Sequence, residues 1–184
     1  IDYITGTSMG GIVGAMYAAG FSPKEIEEIA LSTDFQNWVI GRYKSDYTLF
    51  FQKTSENASL ISAKLMVKDN FRLNFRSNLI SDIPLNFALQ ELLSQASAAS
   101  SNNFDSLFVP FRAMVSDVIS QESISVSKGS LAEAARATMT VPLIYRPIKI
   151  DGKFVFDGGL YNNFPVDIMK QDFNPDFIIG ATVS

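Results

Sequence analysis

The sequence contains no cysteine and no histidine. Without cysteine there is no disulfide, no thiolate nucleophile and no cysteine-ligated zinc, and the redox environment is left open. Without histidine the chain cannot itself supply the base of a Ser-His-Asp triad or the usual ligands of a catalytic zinc. Proton transfer near neutral pH then falls to a carboxylate, a lysine or a tyrosine. Positive charge is also short. Lys and Arg number 15 against 19 Asp and Glu, a net charge of -4, so composition offers no broad footprint for a phosphate backbone and nucleic acid is not an expected partner. No apolar run reaches the length needed to span a bilayer, and no signal peptide is visible.

What is present fits one globular domain covering residues 1–184, with 47% hydrophobic and 18% charged residues giving an apolar interior and a moderately polar surface. The chain opens without Met in Ile1-Asp2-Tyr3-Ile4, which reads as a strand already under way and predicts an N-terminally truncated fragment. Ile1 to Thr5 is β-prone, Gly6 to Gly11 turns sharply, and Ile12 to Ala19 reads as helix. Ser22-Pro23-Lys24-Glu25 announces a second helix through a capping box, running to about Ser32. Residues 38–103 are irregular and read as a cap or insertion. Within them Ile83 to Leu93 has helical spacing, and the polar stretch Ser94 to Asn103 predicts a flexible loop.

Phe108 to Ser116 and Ser123 to Val126 read as strands. Ser130-Leu131-Ala132-Glu133 opens an alanine-rich helix as a second capping box, and Pro142 turns the chain out after it. Phe154 to Phe156 is a short strand leading into Asp157-Gly158-Gly159. The apolar run Phe177 to Val183 suits a strand buried on both faces. Alternating strands and helices predict an α/β class, a three-layer α/β/α arrangement with a largely parallel central sheet.

Gly6-Thr7-Ser8-Met9-Gly10 matches the nucleophile elbow, in which a serine sits on a strained strand-to-helix turn and small neighbours let the backbone close. Ser8 is thereby lifted out of the sheet edge, and the free N–H groups at the head of the next helix point toward the same place. Gly10, Gly11 and Gly14 leave one side of that helix bare for close packing or for substrate approach. A serine needs a base, and with no histidine the carboxylates are the candidates. Asp157 follows a strand and precedes two glycines, which presents its carboxylate at a strand end; an ordinary Asp-Gly turn explains the same letters. Asp117, Asp151 and Asp167 each have a surface or turn explanation.

Taken together, the elbow Gly6 to Gly10 and the Asp157-Gly158-Gly159 motif resemble the patatin-like phospholipases. The resemblance extends to the alanine-rich Ala134 to Thr138 with Pro142, and to Asn163 and Pro165 after the aspartate. It implies a serine acyl hydrolase of the lipase or phospholipase A type acting on lipid or phospholipid esters. Ser8 would be the nucleophile, Asp157 the base, Met9 an oxyanion donor, and Gly6, Gly10, Gly158 and Gly159 the motif glycines. It implies no cofactor and no metal. The family's upstream glycine-rich oxyanion loop has no counterpart in the sequence. Some bacterial members are exported or membrane-associated, and peripheral membrane contact is expected.

Two further features suggest lipid contact. Lys64, Lys68, Arg72 and Arg76, at four-residue intervals, would form a basic stripe on a helix facing anionic lipid. Arg136, on the alanine-rich helix, would either orient a phosphate head group or satisfy helix-terminal carbonyls. Two other readings compete with the dyad. One is an α/β-hydrolase whose histidine lies outside the sequence; the other is a lipid-binding domain that keeps the fold without turnover.

Overall fold

The structure, a computed structural model, describes residues 1–42 and 80–182, together with the backbone of Ser62–Met66 and Arg72–Arg76. It opens as expected, with strand β1 (Ile4–Thr7) turning through Ser8 into helix α1 (Met9–Ala18). Helix α2 (Pro23–Leu31) starts at the predicted capping box. The Ser22 hydroxyl accepts from the Glu25 N–H at 3.3 Å, and the Ser22 N–H donates to the Glu25 carboxylate at 2.8 Å. Ser32 then caps a short helix α3 (Thr33–Val39), its hydroxyl accepting from the Phe35 N–H at 3.0 Å.

Next come an antiparallel pair, β2 (Ser62–Met66) and β3 (Arg72–Arg76), and then helix α4 (Ile83–Ala99). The remainder is β4 (Phe111–Asp117), β5 (Glu122–Val126), α5 (Leu131–Thr138), β6 (Ile148–Ile150), β7 (Lys153–Asp157) and α6 (Val166–Phe173).

Strand β4 organises the main sheet. It pairs in parallel with β1 and antiparallel with β5 and β7, and β6 adds antiparallel to β7. The described ladders thus form a mixed sheet with β4 at its centre, in which β1–β4 is the parallel pair. The β4–β5 and β6–β7 pairs follow from short connections that reverse the chain at once, whereas β7 reaches β4 only after β5, α5 and β6. Between β6 and β7 only Asp151 and Gly152 intervene, at φ 47° and 84°, which is the two-residue hairpin that Asp-Gly favours.

Alternation within the ladders puts Ile4, Phe111, Ala113, Val115 and Val155 on one face, where α1 and α5 cover them and α4 packs against both helices. Ile12, Met16, Leu85, Leu89, Leu93 and Leu131, all nearly inaccessible, fill the space between. On the other face the Thr5 hydroxyl donates to the Pro165 carbonyl at 3.5 Å, just ahead of α6. Arg112 pairs with Asp105 at 2.7 Å and with Asp172 of α6 at 2.8 Å, and its guanidinium lies 4.5 Å over the Phe173 ring. The fold is a three-layer α/β/α arrangement.

Several expectations change. Ser94 to Ala99 is helix and only Ser100 to Asn102 form a turn, because α4 continues to Ala99 through alanines that favour helix and through Ser97, which is buried. The buried Ser97 hydroxyl accepts the Leu131 N–H at 2.9 Å, satisfying a donor at the start of α5. Ser97→Ala strands that donor in the core and is expected to cost about 1–3 kcal/mol, read as a lowered unfolding midpoint. An unchanged midpoint would show that the contact contributes nothing.

Of the residues read as a cap, those on α4 belong to the core, while most of 43–79 lies outside the described residues. Lys64, Arg72 and Arg76 lie on strands, so the helical basic stripe does not form; Lys68 lies outside the described residues. The alternation of Phe71, Leu73 and Phe75 is the strand period that the four-residue charge spacing masked.

Phe177 to Val183 was expected as a buried strand, yet its described part forms none. Phe177 and Ile179 are 79% and 86% exposed, and no described strand offers that run a ladder partner. The capping box at Ser130 is half formed: its hydroxyl accepts from the Glu133 N–H at 3.2 Å without the reciprocal bond. Among the described residues no helix is long and apolar enough to cross a membrane.

Candidate active site

The register of β4 decides what meets what. On one edge of β4, Thr7 pairs with Met114 and Asp157 pairs with Val115. Strand β1 runs parallel to β4 and β7 runs against it, so the two carboxyl ends converge on consecutive residues of the same strand. Ser8 follows directly after Thr7. A serine and an aspartate from opposite ends of the chain therefore arrive at one point, on the side of the sheet that α1 and α5 cover.

Ser8 has φ 54° and ψ -128°, a backbone conformation that a non-glycine residue holds only when its surroundings impose it. A Cβ on Gly6 would lie 2.5 Å from the Gly10 carbonyl oxygen, so only glycine permits this turn. Gly11 and Gly14 are pressed against neighbours, Gly11 against Thr138 and Gly14 against Ile4 and Phe111. Gly10 differs, since a Cβ there would meet nothing within 4 Å. Of the three bare positions on α1, two serve packing and one faces open space.

Ser8 is half-buried, and its hydroxyl makes no capping bond to α1. The Ser8 carbonyl accepts the Gly11 and Ile12 N–H groups at 2.9 and 3.3 Å. The N–H groups of Met9 and Gly10, at the positive head of the helix, have no acceptor among the described residues.

Asp157 is buried. One carboxylate oxygen accepts the Gly159 N–H at 2.7 Å, forming the turn that its Asp-Gly-Gly letters suggested. Among the described residues no bond occupies the other oxygen, and no hydrogen bond joins the Asp157 carboxylate to the Ser8 hydroxyl. Gly158 rests on the Met114 backbone, where a Cβ would come within 2.5 Å of the carbonyl oxygen. Asn163 closes over Gly159, and the Thr7 hydroxyl donates to the Asn162 carbonyl at 3.0 Å, tying the elbow strand to the segment after Asp157.

The competing carboxylates are engaged elsewhere. Asp117 accepts the Ile119 N–H at 2.9 Å and the Ser120 hydroxyl at 2.9 Å, bonds that hold its carboxyl below the usual range. Asp167 accepts from the Asn162 amide at 2.8 Å, and Asp151 forms the hairpin turn.

Arg136 does not reach out toward a head group; it is 2% exposed. Its guanidinium stacks 4.2 Å over the Tyr145 ring, donates to the Thr140 hydroxyl at 2.9 Å and lies 3.8 Å from the Asp82 carboxylate. Burial pulls this guanidinium below its ordinary range. Its role is to hold the end of α5, a function that helical spacing alone did not distinguish from ligand binding.

Comparison with known proteins identifies the family. The patatin-like phospholipase family model matches residues 1–170. An uncharacterized protein of Acanthamoeba polyphaga mimivirus is 24% identical over 99% of this chain, which spans 54% of that relative. An uncharacterized NTE family protein of Mycobacterium bovis is 22% identical over 98% of the chain, which spans 40% of it. A protein named probable lipid hydrolase from Invertebrate iridescent virus 6 is 34% identical over 28% of the chain and 20% of its own length. A strained serine elbow and an aspartate turn meeting on one strand thus sit in a chain whose match runs almost end to end, and the chain belongs to the patatin-like phospholipase family.

Proposed function

We propose that this chain carries the catalytic site of a serine acyl hydrolase that cleaves fatty acyl esters of lipids, with Ser8 as nucleophile and Asp157 as base. The carrying observation is the convergence of β1 and β7 on consecutive residues of β4. The unoccupied oxygen of Asp157 takes the Ser8 proton as the serine oxygen attacks the ester carbonyl. The oxyanion that develops is held by the Met9 and Gly10 N–H groups at the head of α1. Collapse expels the alcohol, which takes the proton back from Asp157, and leaves an acyl-serine. Asp157 then accepts a proton from water, the resulting hydroxide attacks the acyl group, and the fatty acid leaves as Ser8 is reprotonated.

A lipid substrate is supported by the neighbourhood of the site. The stretches Gly6 to Ser22 and Gly158 to Val166 contain no charged residue. They expose Met9, Val13, Leu160, Tyr161 and Phe164, apolar area of the kind that meets an acyl chain or a lipid surface.

The test is covalent labelling of the full-length protein with a fluorophosphonate, followed by peptide mass spectrometry. The adduct is expected on the peptide containing Ser8. A well-folded protein that takes up no label would refute the proposal and favour a non-catalytic lipid-binding domain on the same fold.

A further inference from the structure

The end of α5 touches both halves of this site. Thr138 is fully buried, and its hydroxyl lies 3.1 Å from the Ser8 carbonyl oxygen and 2.8 Å from the Ala135 carbonyl oxygen, both acceptors for its single proton. It sits in the notch that Gly11 leaves: a Cβ on Gly11 would fall 2.4 Å from the Thr138 hydroxyl and 2.8 Å from its methyl group. Two residues later the Thr140 carbonyl accepts the Asp157 N–H at 2.9 Å. Arg136 locks that residue in turn, donating to the Thr140 hydroxyl, which donates back to the Arg136 carbonyl at 3.1 Å.

We propose that Thr138 is a positioning residue, and that the stretch Thr138 to Thr140 is the common reference setting the aim of Ser8 toward Asp157. The proposal rests on the dyad reading above. Its physical basis is the backbone of Ser8. The direction of a residue's carbonyl fixes its ψ, and Ser8 is held at an unfavourable φ and ψ by whatever grips that carbonyl. The Gly11 and Ile12 N–H groups grip it from within α1, and the Thr138 hydroxyl is the side-chain contact from outside that helix. Without the hydroxyl, the elbow has less to oppose relaxation of ψ, and the serine oxygen swings off line while the substrate surface stays in place. A displacement of about 1 Å at a reacting atom can cost about a hundredfold in rate.

The experiment compares Thr138→Val, which keeps the shape and removes the hydroxyl, with Thr138→Ser, which keeps the hydroxyl. Both are made in the full-length protein and assayed on p-nitrophenyl butyrate and for the rate of fluorophosphonate labelling. Thr138→Val is expected to lower kcat and the labelling rate by about 10- to 100-fold with KM within about twofold, and Thr138→Ser to restore both to within about threefold of the parent. If Thr138→Val does not fold, Thr138→Ala takes its place with the same expectation.

A valine variant with parental kcat, or a serine variant as impaired as valine, overturns the proposal, because a packing role would follow shape and not the hydroxyl. If the parent is labelled on Ser8 while Thr138→Val labels at the same rate, the positioning role alone falls. If the parent itself takes no label, the dyad reading fails and the proposal with it.

Discussion

Ser8→Ala in the full-length protein is expected to lower kcat on a p-nitrophenyl ester by about 10,000-fold or more and to abolish fluorophosphonate labelling, with the unfolding midpoint unchanged. The separation of activity from stability comes from what the hydroxyl does not do. It makes no capping bond to α1, and alanine keeps the Cβ and the strained backbone that the surroundings impose. The carbonyl bonds to Gly11, Ile12 and Thr138 are those of the main chain and survive the change. A variant retaining more than a tenth of the parental kcat would move the nucleophile elsewhere.

Asp157→Asn is expected to cost about 1,000- to 10,000-fold in kcat with KM within about twofold. Asparagine is close in shape, and its side-chain oxygen still accepts the Gly159 N–H, so the turn and the bond from the Asp157 position to the Thr140 carbonyl persist. What disappears is the capacity to take a proton from serine, and later from water. With no histidine in the chain and Asp117 held by Ile119 and Ser120, no imidazole and no equally placed carboxylate takes over. Activity near the parental level in Asp157→Asn would remove the carboxylate from the mechanism while leaving Ser8 untouched. The label on Ser8 should slow in parallel with kcat, since both reactions need the serine proton to leave.

Local rules made much of this architecture readable. The capping box at Ser22 and the elbow at Ser8 are settled by neighbours within a few positions, and both stand where the letters put them. The Asp151-Gly152 hairpin was equally local and was overlooked, because three residues of β6 make too short a run to stand out. The misreadings share a cause, which is that burial is set by distant chain. Ser97 looks polar, yet its hydroxyl meets the head of α5, and this keeps α4 helical through a serine- and alanine-rich stretch.

Arg136 looks like a cation on a helix near the site, but Tyr145, Thr140 and Asp82 enclose it. Phe177 to Val183 has the composition of a central strand, and composition does not supply a pairing partner. At the site, Ser8 and Asp157 were each legible as motifs. Their convergence was not, because it depends on the register of β4 against two other strands. The part played by Thr138 was hidden too, since the notch at Gly11 that it fills is a property of two helices in contact.

The convergence on β4 also says when the site can exist. The Thr7 hydroxyl and the Asn162 carbonyl that accepts from it are separated by 155 positions in the chain, and closing so long a loop carries an entropic penalty before any contact repays it. The β6–β7 hairpin, with two residues between its strands, needs only near neighbours in sequence and can form early. Ser8 and Asp157 acquire a common location only once both β1 and β7 have docked on β4. A folding intermediate of this chain can hold most of its secondary structure and still keep Ser8 and Asp157 apart, so under the proposed dyad catalytic competence would report completed topology.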